Sequence, residues 1–440
     1  MTYFYLLLTA LLLGPGLLPT AQAQSLGRVG SPNDIITPCT AGTVLMGGGS
    51  DVDAAFTWMI SRSGGGDFVV IRATGTAAYN RYIYGLGPAN SVETFLINSV
   101  AQANDPVLVA NIRKAEAVFF AGGDQNDYIS NYRGTALGAA LDYLANVKHA
   151  PIGGTSAGMA IQGHVYYDGI TNVLSPDVLA NPYASGTGLH YNNFLLNPFL
   201  QRTLCESHFN TRGGTTTNGI TGRQGRLMSF LARMSKDAAL PDVKAIACDE
   251  RTALCVDDAG LAMVVGLGRA YFLRQWCAGP ETCLSGQPLT FSNGARVYVL
   301  PGPNSYTTPP SAARALPLTS WTGGTGGTYE FWTVSAGVLT LGQPTGTPAV
   351  CALAATPAAA APLLSVFPNP ATGQLTVAFG QPLPGARLLL YDALGRLVRQ
   401  QPAAPGPQTV LDLTSLAPGV YGLEVRSATG RARQLVRVEE

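Results

Sequence analysis

The sequence predicts an α/β protein with a mostly parallel central sheet, followed by a separate small C-terminal β-sandwich. Three observations carry this. Between residues 40 and 160, short continuous apolar runs alternate with helix-patterned segments. Residues 245–300 change to β-rich runs separated by turn residues. After an Ala/Pro/Thr-rich stretch, the last residues form short alternating runs at even spacing. Short apolar strands separated by helices read as a parallel sheet covered on both faces.

The chain has 440 residues, a formal net charge of +1, 46% hydrophobic and 12% charged residues. This length allows two or three domains of the usual ~100–200 residues. The balanced charge excludes a nucleic-acid surface, a polybasic membrane anchor and disorder by charge excess. Residues 1–23 read as a signal peptide: an apolar run, then Pro19 and the A-x-A site Ala21-Gln22-Ala23. No Lys or Arg precedes the run, which is short for a membrane span of ~20 apolar residues. Export permits disulfides. Of the seven cysteines, Cys277 and Cys283 bracket a turn-rich loop that a disulfide could staple, and Cys248 and Cys255 flank an expected hairpin. None forms a C-x-x-C pair, so a zinc ribbon is a poor reading. No cysteine is read as a nucleophile, and the sequence calls for no metal and no cofactor.

Residues 24–341 form the expected main domain. Thr43–Met46 runs into Gly47-Gly48-Gly49, Phe68–Ile71 follows, and Ala117–Phe120 ends at Gly122-Gly123. Helices are expected over Asp53–Arg62 and Ala136–Val147. Glycines at the carboxyl ends of such strands mark where ligands bind in open α/β sheets. Strands at 245–248, 262–265, 270–273 and 297–300 complete the domain. Residues 342–362 cannot build a core and read as a linker. Residues 363–440 alternate as short strands between turn signals such as Pro368-Asn369-Pro370 and Pro418-Gly419, which predicts the sandwich.

The chemistry centres on Gly154-Thr155-Ser156-Ala157-Gly158, a G-x-S-x-G sequence. A sharp strand-to-helix turn lifts such a serine above the sheet, and the helix N-terminus offers free N–H groups beside it. Gly122-Gly123-Asp124-Gln125 ends a neighbouring strand and could supply an oxyanion donor. A serine needs a base. Of the four histidines, His149 falls at the far end of the nucleophile strand, His164 reads as structural, and His190 sits in a Gly/Asn/Tyr-rich loop. His208 stands in the polar run Cys205–Arg212 and is the preferred base. Asp249-Glu250 ends an apolar run and offers an orienting carboxylate. Arg212, Arg223 and Arg226 surround two glycine-rich turns and could bind a substrate carboxylate.

These residues carry a resemblance. Gly154–Gly158, Gly122–Gln125, His208-Phe209 with Arg212, Gly222–Leu227 and Asp249–Ala253 lie in an order that resembles the cyanophycinase branch of serine peptidase family S51, over about residues 40–300. The resemblance implies a class I glutamine-amidotransferase-like sandwich and a serine-type peptidase. It implies Ser156 as nucleophile, His208 as base, Glu250 as its orienter, and Gly123 and Ala157 as oxyanion-hole donors. Gln125, Arg212, Arg223 and Arg226 match family positions lining the substrate site. The implied substrate is cyanophycin, a poly-aspartate carrying arginine on each side chain, or related aspartyl and β-aspartyl peptides. The order serine, histidine, acid differs from that of the α/β-hydrolases. Two departures bear on substrate: the family's acidic-Gln-His run is Glu206-Ser207-His208 here, and its compact arginine run is split by Gly214–Thr221.

The C-terminal runs Phe367–Pro370, Leu390–Val398 and Leu416–Tyr421 resemble the type IX secretion sorting domain of Bacteroidetes. This implies the type IX machinery as a partner and a secreted or outer-membrane-surface location. Two rivals stay open: an exopeptidase on ordinary aspartyl peptides, and a catalytically silent surface-binding protein on the same fold. Oligomeric state is open, a dimer being one option.

Overall fold

The computed structural model describes residues 24–191, 194–238, 240, 242–344, 364–379, 385–392, 396–404, 406, 408–427 and 430–439. The expected signal peptide and most of the expected linker lie outside the described residues. The chain divides into two compact units, Met1–Pro348 and Ala349–Glu440.

The first unit is built on a nine-stranded sheet. Its strands run in the order Gln24–Gly30, Ser91–Leu96, Asp67–Arg72, Ala117–Phe120, Ile152–Thr155, Thr43–Met46, Thr252–Val256, Leu261–Gly266, Ala315–Pro317. The five strands from Ser91–Leu96 to Thr43–Met46 pair in parallel, and the flanking ones antiparallel. Side chains alternate across a strand, and the cores follow. Phe68, Val70 and Phe119 face one way, onto the helix Asp53–Arg62 through Phe56, Met59 and Ile60. Val69, Ile71 and Phe120 face the other, onto the helices Pro106–Lys114 and Ala136–Asn146. The continuous apolar runs are thus strands buried on both faces. Local rules set the helix starts: Asp105 caps the first of these with Pro106 behind it, and Thr135 caps the second.

A six-stranded sheet packs beside the first. Its order is Val338–Pro344, Thr328–Ser335, Phe291–Pro301, Arg269–Gln275, Lys244–Cys248, Thr203–Glu206. Leu45, Leu254 and Val264 of one sheet share a core with Ile246, Phe272 and Leu300 of the other. The far face of the smaller sheet holds the amphipathic helix Gln224–Asp237 through Leu227, Phe230 and Leu231. Its last strand continues past residue 341 to Pro344.

The expected hairpin between Cys248 and Cys255 is absent. Lys244–Cys248 belongs to the smaller sheet and Thr252–Val256 to the larger, so residues 249–251 carry the chain between sheets. Both cysteines are free and buried. The Cys277–Cys283 staple does not form either: Cys277 is disulfide-bonded, but Cys283 is free.

The second unit is a β-sandwich. A three-stranded sheet (Leu364–Phe367, Gln374–Phe379, Gln408–Asp412) and a four-stranded sheet (Leu397–Pro402, Arg387–Tyr391, Gly419–Ser427, Gly430–Val438) enclose one core that includes Leu375, Leu388, Leu411 and Leu423.

Candidate active site

Ser156 sits directly after the strand Ile152–Thr155 with φ 54° and ψ −112°. That backbone is costly for a residue with a Cβ, and the surroundings hold it. Its N–H donates to the Met46 carbonyl at 3.0 Å, and its own carbonyl accepts from Met159 and Ala160. The flanking glycines are required by space. A Cβ on Gly158 would overlap the Phe120 carbonyl, and one on Gly154 would overlap the Gly158 backbone. The helix after the serine is a single turn, Ala157–Ala160, shorter than the motif suggests. Ala157 opens that turn, where N–H groups lack an intrahelical acceptor.

His208 follows the strand Thr203–Glu206, which lies parallel to Lys244–Cys248. Its N–H donates to the Gly47 carbonyl at 2.7 Å, and Gly48 leaves room for the imidazole, since a Cβ there would strike the ring. Glu250 stands on the crossing between the two sheets. Its N–H donates to Asn210 Oδ1 at 3.0 Å, and the next N–H, of Arg251, donates to the Gly48 carbonyl at 2.8 Å. Thus the glycine loop at 47–49 ties His208 and Glu250 to the end of the parallel sheet.

The three side chains meet. Ser156 Oγ lies 2.7 Å from His208 Nε2, and His208 Nδ1 lies 2.6 Å from Glu250 Oε1. The His208 hydrogen bond, Thr211 and Arg212 hold the Glu250 carboxyl below its ordinary value, against the effect of burial. An ionised carboxylate can only accept, so Nδ1 carries the proton and Nε2 is free to accept from the serine. Burial holds the His208 imidazole below its ordinary value; Arg212 and Arg223 push the same way and Glu250 opposes them.

A cavity of about 130 Å³ opens beside Ser156. Gly123, Gln125, Ser156, His208 and the three arginines all line it. The arginines differ. Arg226, with 2% of its side chain exposed, grips Glu206 through both oxygens, Nη2 to Oε1 at 2.6 Å and Nε to Oε2 at 3.1 Å. Arg223 Nη1 reaches Glu206 Oε1 at 2.8 Å and the Ser207 carbonyl at 2.8 Å, while its buried Nε has no hydrogen-bond partner among the described residues. Burial alone would raise the Glu206 carboxyl, but Arg226 and Arg223 hold it low. Arg212 stays 61% exposed, its Nε 3.7 Å from Glu250 Oε1. Gln125 Nε2 donates to the Tyr167 carbonyl at 3.4 Å.

Sequence reasoning missed Glu206 as the anchor of two arginines, together with Asn172, Tyr167 and Thr211. Glu206 carried one signal, a carboxylate placed two residues before the candidate base at the end of an apolar run. The other histidines lie elsewhere. His149 lines a cavity of about 460 Å³ with Ile152, at the end of the strand Ile152–Thr155 opposite Ser156. His164 Nδ1 accepts from the Arg202 N–H at 3.0 Å. His190 stacks on Tyr166 and reaches Asp168 at 3.2 Å. No cluster of three metal-ligating side chains occurs among the described residues.

Fold and site together define an α/β protein with a strained serine elbow, joined to a separate sandwich. Comparison with known proteins gives each unit its relatives. Residues 365–438 match the secretion system C-terminal sorting domain family. The chain is 23% identical over 209 residues to a cyanophycinase of Geminocystis herdmanii, covering 48% of this chain and 64% of the relative. It is 26% identical over 180 residues to a cyanophycinase of a Nostoc species, covering 41% and 52%. The chain therefore spans between half and two thirds of the length of the curated relatives it matches. Among solved structures, a peptidase from an acI-B1 actinobacterium aligns with TM-score 0.38 and 17% identity, over 57% of this chain and 93% of that one. A Bacteroides vulgatus protein with an immunoglobulin-like β-sandwich fold aligns with TM-score 0.16 and 18% identity, over 17% and 84%. The chain is thus similar to cyanophycinases, and the sorting domain matched at residues 365–438 indicates type IX secretion to the cell surface or the extracellular space.

Proposed function

We propose that the first unit is a serine-type peptidase acting on aspartyl or β-aspartyl peptides, cyanophycin among them, through a Ser156–His208–Glu250 triad. The observation that carries this is the unbroken hydrogen-bond chain from Ser156 Oγ to Glu250 Oε1, set on a strained elbow at a polar cavity. In this reading Ser156 Oγ attacks the amide carbonyl while its proton passes to His208 Nε2, and Glu250 stabilises the imidazolium. The Gly123 and Ala157 N–H groups receive the oxyanion. Collapse of the tetrahedral species breaks the C–N bond. The His208 proton leaves with the amine, and water then hydrolyses the acyl-serine by the same route. Gln125, Arg212, Arg223 and Arg226 read the substrate's acid group.

Two relatives carry the name cyanophycinase, which supports the polymer as substrate. The cavity favours a second reading, an exopeptidase on short aspartyl peptides. Its small volume suits one short side chain, and Glu206 already spends much of the charge of Arg223 and Arg226. Turnover of purified protein on cyanophycin, compared with α- and β-aspartyl dipeptides, separates the two. Ser156→Ala should lower turnover by several orders of magnitude and leave the fold intact. Undiminished activity would remove Ser156 from its role. A serine-reactive phosphonate that fails to label Ser156, together with no turnover, would point instead to a silent surface-binding protein.

A further inference from the structure

We propose that Thr211 is a positioning residue, whose hydroxyl fixes the Glu250 carboxylate against His208 and extends the triad to a fourth side chain. The proposal rests on the hydrolase reading above. Glu250 needs such a restraint. It stands on the crossing between sheets with 23% of its side chain exposed, and a free glutamate side chain has many rotamers. Its backbone is held through Asn210, which leaves the side-chain torsions unset. Among the described residues, two groups donate to Oε1: His208 Nδ1 at 2.6 Å and Thr211 Oγ1 at 3.2 Å.

A threonine hydroxyl has one proton to give. The other acceptor in its reach is the His208 carbonyl, at 3.4 Å. The carboxylate is nearer and charged, and such bonds are the stronger ones. The Thr211 N–H also donates to the His208 carbonyl at 3.1 Å. One turn therefore carries the base and the clamp on its acid, which fixes the spacing between the two. Among the described residues the arginine paired with Oε1 is the exposed Arg212, whose Nε is 3.7 Å away. The charged groups facing His208 are Glu250, Arg212 and Arg223.

Removing the hydroxyl has two consequences of opposite kind. Glu250 gains rotamers, so the imidazole is oriented less of the time and kcat falls. The carboxylate also loses a donor that shared its charge, so it draws harder on Nδ1–H and stabilises the imidazolium. The acid limb of the kcat/KM profile then moves to higher pH.

The test uses the full chain, an aspartyl p-nitroanilide as substrate, and active-site titration with a fluorophosphonate to count competent serines. For Thr211→Val we expect kcat per titrated site to fall about tenfold, the scale of one hydrogen bond to a charged group. KM should stay within about twofold, and the acid limb should rise by a few tenths of a pH unit. Thr211→Ser should restore both. Thr211→Ala removes the same hydroxyl with less bulk and serves if the valine variant does not fold. A loss explained wholly by fewer titrated sites, with kcat per site and the acid limb unmoved, would overturn the positioning role. So would a serine variant that behaves like the valine one. Wild-type protein that neither labels nor turns over would overturn the hydrolase reading, and this proposal with it.

Discussion

Around Ser156, burial decides what each charged residue can do. His208 is buried, and its imidazole is held below the ordinary histidine value near 6.5. As the proposed base, His208 works only when neutral, so the acid limb of kcat/KM should lie below pH ~6.5. Glu250→Gln removes the hydrogen bond that opposes this shift. The limb should then move lower still, while kcat falls by roughly two to four orders of magnitude; a pH–rate series on both proteins checks the two together. Next to Glu250, Asp249 is buried with Oδ1 unpartnered, and burial lifts its carboxyl to about 6. A raised carboxylate favours the protonated folded state. Its ionisation therefore costs stability above pH ~6 and nothing below pH ~4. Asp249→Asn keeps an acceptor for the Arg269 N–H and should add up to about 3 kcal/mol at pH 8, a gain that vanishes towards pH 4. Denaturant melts at the two pH values decide it. The site was only partly legible at this scale. Ser156 announces itself by its glycines, and His208 by its polar neighbours. The role of Glu206 does not show, because its partners lie 17 and 20 residues away in sequence, and only folding brings the three together.

At the scale of elements, the turn that carries Ser156 is a tightly constrained junction. Strand and helical turn approach so closely that Gly158 has no space for a methyl group against the Phe120 backbone. Gly158→Ala should destabilise the unit by about 1–3 kcal/mol and displace the serine, cutting phosphonate labelling per folded molecule. Gly122 offers the contrast. A Cβ there would lie 3.6 Å from Ser156 Cβ, an ordinary contact, so Gly122→Ala should leave stability nearly unchanged. Thermal melts and labelling rates of the pair test this; equal effects would show that crowding at the elbow is not what selects Gly158. The strands that are apolar throughout, such as Thr43–Met46 and Ala117–Phe120, were legible because burial on both faces leaves an unbroken run. The junction at 249–251 was not. Lys244–Cys248 and Thr252–Val256 look like two arms of a hairpin, since local pattern reports strand and turn but not which sheet each strand joins. That hidden crossing is what puts Glu250 beside His208.

At the scale of the whole molecule, the two units carry separate cores and should behave as separate folding units. The cores of the first are made by the two sheets and their helices. The second has its own core from Leu375, Leu388, Leu411, Leu423 and Val436. The sequence expects such a division, because a stretch poor in large apolar residues separates two regions of different period. A domain below ~80 residues gains only a few kcal/mol from a single core, so the sorting unit should melt first. Calorimetry on the full chain should show two transitions. Deleting residues 363–440, which keeps all seven cysteines, should abolish the lower one and leave the upper one in place. Turnover per titrated serine should be unchanged in the shortened protein, since every side chain of the candidate site lies between residues 123 and 250. Delivery to the cell surface should be lost, because the matched sorting domain goes with the deletion. A single transition in the full chain, or a fall in turnover per site on truncation, would mean that the second unit contributes to the stability or the chemistry of the first. In that case the assignment of export to one unit and hydrolysis to the other would fail.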